Sequence, residues 1–372
     1  MKKILLILFV LFAAVKVIAQ SKIHFIIQSL PSYHPANADI FIAGSFNGWN
    51  PGNPAYKFQQ DANHNYFLDL QLNKGSEEFK LTRGSWDKVE CGKDGAAFGN
   101  RTVKIEGDQT VELSVADWQD HYPPKLKQHT ASARVHIMDT AFLIPQLNRT
   151  RRVWIYLPDD YTKKSYPVLY VQDGQNIFDD YTSYSGEWGL DEFMDSTHSP
   201  RAIIVAIDHG DDKRINEYCP YDMARFGKGE GKLYVDFLVK TLKPYIDKHY
   251  HTLKDPSHTF IAGSSMGGLI SMYAILKYPK TFGGAGVFSP AFWVGPAICD
   301  DIQSMGKKVT GRIYFYAGKQ ESDSMVPDML KAFDKMSKVS HARMVTVIRD
   351  EGKHNEANWR REFPLFYKWM VR

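Results

Sequence analysis

From Tyr66 to Leu72 the chain alternates: Tyr66, Leu68, Leu70 and Leu72 point one way, and Asp69 and Gln71 point the other. A period of two is the signature of a strand with one buried face. Val111, Leu113 and Val115 repeat the pattern, and Gly, Asn and Pro clusters separate short runs of this kind from Ile23 to about Trp118. No helical periodicity interrupts them, so this third of the chain reads as all-β.

The pattern changes after Ala133. Short apolar runs now alternate with helical stretches: Val153 to Leu157, Pro167 to Val171, Ala202 to Ile207, Thr259 to Ala262, Gly284 to Phe288, Arg312 to Tyr316 and Met344 to Ile348. Tyr234, Phe237, Leu238, Leu242 and Tyr245 recur at helical spacing, with Pro244 expected to kink or end the first part of that helix. Leu269 to Leu276 is apolar almost all round, as a helix buried against a sheet must be. The predicted fold class is α/β, a sheet of seven strands with helices on both faces, preceded by a small immunoglobulin-like sandwich. Asp117 to Arg134 is polar, aperiodic and contains Pro123-Pro124, which places the junction there. The expected organisation is a sandwich over 20–118, a linker over 119–133 and an α/β domain over 134–372.

Met1-Lys2-Lys3, the apolar run Ile4 to Val15 and Val17-Ile18-Ala19 have the plan of a signal peptide over residues 1–19. The run is shorter than the ~20 residues a membrane-spanning helix needs, so export to the periplasm or the exterior is expected, with no stable membrane insertion. Lys2, Lys3 and Lys16 account for three of the four net positive charges in 372 residues. The remainder is nearly neutral and has no basic field for a phosphate backbone, which argues against nucleic acid as a partner. Cys91, Cys219 and Cys299 are too few and too scattered for a disulfide framework. No CxxC, HExxH or ligand cluster occurs, so neither a metal nor any other cofactor is expected.

The chemistry concentrates after Thr259–Ala262, which runs into Gly263-Ser264-Ser265-Met266-Gly267-Gly268 and then the apolar helix. This is the strand, sharp turn and helix that a G-x-S-x-G nucleophile elbow requires, with Ser265 at its centre. A serine hydroxyl is a poor nucleophile and needs a base, which in turn needs an orienting acid. His354 leaves the end of the last apolar run in a Gly-containing loop, and two carboxylates, Glu321 and Asp323, follow the run before it. Glu321 is nearer the strand end and reaches further; Asp323 is the alternative. The backbone N–H of Met266 and one from the loop after Val171, assigned to Gln175, would form an oxyanion hole. Trp188, Tyr218, Phe292 and Trp293 lie on loops at the same end and are candidate pocket walls.

Arg152-Val153-Trp154-Ile155-Tyr156-Leu157-Pro158, the run Tyr166 to Phe178, Gly263 to Gly268 and Ser289-Pro290-Ala291-Phe292-Trp293 resemble the Putative esterase family of α/β-hydrolases. Its members include feruloyl, acetyl-xylan and enterochelin esterase-like enzymes. The resemblance covers Arg151 to Arg372 and implies that the acid follows a Gly by three residues after the penultimate strand, which selects Glu321 over Asp323. Many members carry a second Gly before the His and an aromatic soon after it, where this chain has Gly352-Lys353-His354-Asn355-Glu356.

In the first third, Gly44-Ser45-Phe46-Asn47-Gly48-Trp49-Asn50-Pro51 and Phe79-Lys80-Leu81-Thr82-Arg83-Gly84-Ser85-Trp86 resemble starch- and glycogen-binding modules. That resemblance implies that Trp49 and Trp86 stack on sugar faces. Together these readings lead to an exported serine ester hydrolase acting on acetyl or feruloyl groups of polysaccharide. The alternatives are a siderophore esterase and a non-catalytic carbohydrate-binding protein.

Overall fold

A computed structural model of the chain describes residues 20–96, 99–123, 127–184 and 186–371. The expected signal peptide lies outside these residues. The chain divides into two compact units, residues 1–125 and 126–372.

In the larger unit the apolar runs become eight strands: β1 (Val135–Ile144), β2 (Arg149–Tyr156), β3 (Val168–Gln172), β4 (Ile203–Ile207), β5 (Thr259–Ser264), β6 (Gly284–Phe288), β7 (Arg312–Gly318) and β8 (Arg343–Arg349). They form one sheet in the order β1-β2-β4-β3-β5-β6-β7-β8. β2 pairs antiparallel with β1 and β4, and β3 to β8 are parallel to one another. The strand not expected from sequence is β1. It lies at the sheet edge, is half exposed, and shifts register between Ile137 and Asp139 and again before Phe142. Each shift resets which side chains face inward, so no sustained alternation marks it.

Helices α1 (Leu190–Ser196) and α8 (Glu356–Met370) cover one face, where Leu190, Met194, Phe363 and Phe366 pack with Leu169, Ile204 and Phe288. Opposite them lie α2 (Arg214–Tyr218), α3 (Gly231–Phe237), α4 (Lys243–His249), α5 (Met266–Lys277), α6 (Ile298–Met305) and α7 (Met325–Val339). The first α-helical part ends at Phe237, ahead of Pro244. A π turn over Leu238–Leu242 joins α3 to α4, and Pro244 occupies the second position of α4. Widening the turn makes room for the proline ring and its missing N–H.

In the smaller unit, a four-stranded sheet and a three-stranded sheet share one core. Tyr66, Leu68, Leu70 and Leu72 all face that core, as their alternation requires. Gln20–Ser29 pairs parallel with Gln109–Ser114, while Phe41–Gly44, Gly75–Thr82 and Arg101–Ile105 are antiparallel. Within the stretch expected as linker, Gln119–His121 form a 3-10 turn, and the amides of Thr130 and Ser132 donate to Asp179 and Asp191. The three cysteines are free.

Candidate active site

β5 stops at Ser264, and Ser265 turns the chain into α5 with φ 58° and ψ −120°. A side-chain-bearing residue pays ~1–3 kcal/mol for such a conformation, which is the strained turn that lifts an Oγ clear of the sheet. The flanking glycines are sterically required. A Cβ on Gly263 would lie 2.8 Å from the Gly267 carbonyl carbon, and one on Gly268 would lie 2.8 Å from the Phe288 oxygen. The turn is tied to its neighbours through the backbone: Ser265 N–H donates to Phe288 O at 2.9 Å, and Ser265 O accepts from Ala291 N–H at 3.0 Å.

The end of β7 and the loop after β8 meet at a pair of glycines. A Cβ on Gly318 would sit 2.2 Å from the carbonyl carbon of Gly352, so only glycines permit this contact. Gln320 N–H donates to Gly352 O, and Lys319 N–H donates to Arg349 O, both at 2.9 Å. The two loops thus travel together and bring Glu321 to His354, whose Nδ1 lies 2.7 Å from Oε2. The other carboxylate oxygen accepts from Gly318 N–H at 2.6 Å and from the Ser289 hydroxyl at 2.7 Å. The Glu321 side chain is 1% exposed. Three donors around a dehydrated carboxylate hold it in one rotamer, and the tautomer that donates from Nδ1–H to Glu321 is the one in which a neutral imidazole offers Nε2 as an acceptor. Asp323 is exposed.

Trp359 completes the support. Its Nε1 donates to Ser289 Oγ at 2.9 Å, and its ring meets the His354 ring edge-on at 5.0 Å. Asn355 caps α8, its side chain accepting from Asn358 N–H at 3.1 Å. The helix therefore begins directly after His354, which suits a loop without a second glycine. Among the described residues no hydrogen bond joins Ser265 to His354. The segment Phe288–Ala291 links the two sides, receiving Ser265 at Phe288, meeting it again at Ala291 and reaching Glu321 through Ser289.

Met266 is the first residue of α5, where a helix leaves its N–H without an internal acceptor. Gln175 stands in the 3-10 turn Gly174–Asn176 beyond β3, and Asp173 enters that turn with φ 58° and ψ 50°. Asp173 accepts a two-point ion pair from Arg214, at 2.7 Å from Nε and 2.8 Å from Nη2.

Three of the four aromatics expected to wall a pocket are buried and do other work. Trp188 packs against Phe288, Trp359 and Phe363 at 3% exposure. Tyr218 is inaccessible, and its hydroxyl oxygen accepts from Asp173 N–H at 3.3 Å. Phe292 lies in the core of the α2–α7 face. Trp293 alone is open, at 47% exposure, two residues beyond the Ala291 that contacts Ser265. The reason is volume: aromatic rings between a twisted sheet and its loops fill gaps that smaller side chains would leave open. Ser289, Trp359, Asp173 and Arg214 were not singled out from sequence. Ser289 lies within the resembling segment Ser289–Trp293, but nothing local to Trp359 or Arg214 marks them.

Trp49 and Trp86, far apart in sequence, come together in the sandwich with ring centroids 6.4 Å apart, each half-buried. Trp49 has φ 59° and follows the left-handed Gly48.

The profile of the family described as Putative esterase matches residues 144–369. YbbA of Bacillus subtilis (strain 168) is 31% identical over 180 residues, covering 46% of this chain and 69% of that protein. An α-amylase of Niallia circulans is 45% identical over 94 residues, a quarter of this chain and 7% of that enzyme. Among solved structures, the enterobactin esterase FES from Shigella flexneri superposes with a TM-score of 0.53 at 16% identity, covering 94% of this chain and 92% of that one. Eight strands in this order, a glycine-flanked elbow and the family match lead to one assignment: the chain is an esterase of the α/β-hydrolase fold and belongs to the Putative esterase family.

Proposed function

We propose that Ser265, His354 and Glu321 act as a catalytic triad that hydrolyses carboxylic esters through an acyl-enzyme. Ser265 Oγ attacks the carbonyl carbon while His354 Nε2 takes its proton. The tetrahedral oxyanion lies against the N–H groups of Met266 and Gln175. On collapse the imidazolium returns the proton to the leaving alcohol, and water then releases the acid by the same steps. Glu321 keeps the ring oriented and balances the charge that develops on it. The observation that carries this reading is the 2.7 Å contact between His354 Nδ1 and a carboxylate already held by two other donors.

The substrate class we propose is acetyl or feruloyl esters on polysaccharide, met by an exported enzyme. Support comes from the paired Trp49 and Trp86 rings, suited to the apolar face of a pyranose, and from the 94-residue stretch that is 45% identical to an α-amylase. The open ring of Trp293 beside the elbow would receive an aryl or sugar group. Purified protein is to be assayed on p-nitrophenyl acetate, methyl ferulate, acetylated xylan and enterobactin. Release of acetate or ferulate supports the proposal; turnover of enterobactin alone contradicts it in favour of a siderophore lactone.

A further inference from the structure

We propose that Arg214 is a positioning residue for the oxyanion loop, holding Asp173 in the backbone conformation that presents the N–H of Gln175. The inference rests on the proposed role of Ser265 as nucleophile. Asp173 is not glycine, yet it occupies the left-handed region at φ 58°, and a turn that begins on such a residue needs outside support to stay there.

Support arrives from α2. Arg214 and Tyr218 stand four residues apart on this short helix and so share one face. Both are spent on Asp173: the guanidinium fork grips the carboxylate, and the tyrosine oxygen accepts the amide. The Asp173 carbonyl accepts from Asn176 N–H at 2.9 Å, which closes the turn carrying Gln175. Steric walls complete the seat. A Cβ on Gly174 would lie 2.8 Å from the carbonyl carbon of Ile207 at the end of β4, and one on Gly267, the second residue of α5, would lie 3.3 Å from Asp173 Oδ2.

The carboxylate of Asp173 is therefore lodged between the start of the helix that offers Met266 N–H and the arginine that fixes the loop offering Gln175 N–H. A single ion pair sets the spacing of both proposed oxyanion donors. Lysine cannot replace this arginine, because two parallel N–H bonds fix the plane of the carboxylate and a point charge does not. Arg214 acts only through Asp173 and touches no reacting atom.

The test uses the full-length chain and the variants Arg214→Ala, Arg214→Lys, Asp173→Gly and Arg214→Ala/Asp173→Gly. Glycine adopts the left-handed conformation without strain, so Asp173→Gly removes the ion pair while sparing the turn. Readouts are kcat and KM on p-nitrophenyl acetate, thermal midpoint, and fluorophosphonate labelling of Ser265. Arg214→Ala is expected to lose about 10²–10³ in kcat, the scale of one oxyanion donor, with KM within about threefold. Added guanidinium at tens of millimolar should restore about tenfold or more, Lys should rescue little, and the double variant should fall no lower than either single one. The proposal is overturned if Arg214→Ala keeps its kcat, or if its loss ignores guanidinium and multiplies with that of Asp173→Gly. A wild type that neither hydrolyses the ester nor takes the label fails differently, since it contradicts the Ser265 reading itself.

Discussion

Glu321 spends both of its oxygens on donors that come from three separate segments: Gly318, Ser289 and His354. Glu321→Gln keeps the shape but lets the amide donate, which permits the wrong imidazole tautomer. A loss of about 10⁴ in kcat is expected, with the thermal midpoint little changed. Asp323→Asn should alter neither, because that carboxylate is exposed and outside this network. Steady-state kinetics on a small aryl ester separates the two carboxylates. Ser289→Ala would leave the buried Trp359 N–H without its acceptor and remove a donor to Glu321, costing about 1–3 kcal/mol of stability by chemical unfolding. Ser265 and the Glu321–His354 couple were legible in the sequence because elbow, strand order and loop position constrain them locally. Ser289 and Trp359 were less so, since their contacts join residues 70 positions apart, a relation that periodicity does not encode.

At the scale of elements, the site depends on the end of β7 meeting the loop after β8 at Gly318 and Gly352. Gly318→Ala must push the loops apart, since its Cβ would overlap the Gly352 backbone at 2.2 Å. It is expected to lower the thermal midpoint and to reduce kcat by about tenfold or more through displacement of Glu321, a coupling read by measuring both in one preparation. Most strands of the sheet were readable, because β3 to β7 are buried on both faces and appear as continuous apolar runs. β1 was not, because an edge strand with two register shifts loses its alternation. Pro244 was readable as a break in the helix, and the break takes the form of a π turn directly ahead of it, after which the chain continues as α4.

Across the whole molecule, stability should depend on pH through the carboxylates near the start of the esterase unit. Burial, reinforced by the neighbouring Glu192, raises the pKa of Glu187. Burial likewise raises that of Asp191, against the pull of the Ser132 N–H. The folded chain then keeps protons that the unfolded chain releases above the ordinary carboxylate range. Stability is therefore greatest at or below about pH 4 as far as this pair is concerned, and falls as pH rises toward their elevated values. Asp191→Asn should flatten that decline in thermal midpoint, and an unchanged slope would remove the pair from the account. At the same scale, the double variant Trp49→Ala/Trp86→Ala should lose retention on insoluble polysaccharide while keeping kcat/KM for p-nitrophenyl acetate within about twofold.

The most direct measurement is intact-mass and peptide mapping after exposure of the full chain to a fluorophosphonate. One adduct per molecule, confined to the peptide bearing Ser265 and abolished when His354 is replaced by alanine, is the outcome this account predicts. An unmodified protein, or modification at another serine with Ser265 untouched, contradicts it.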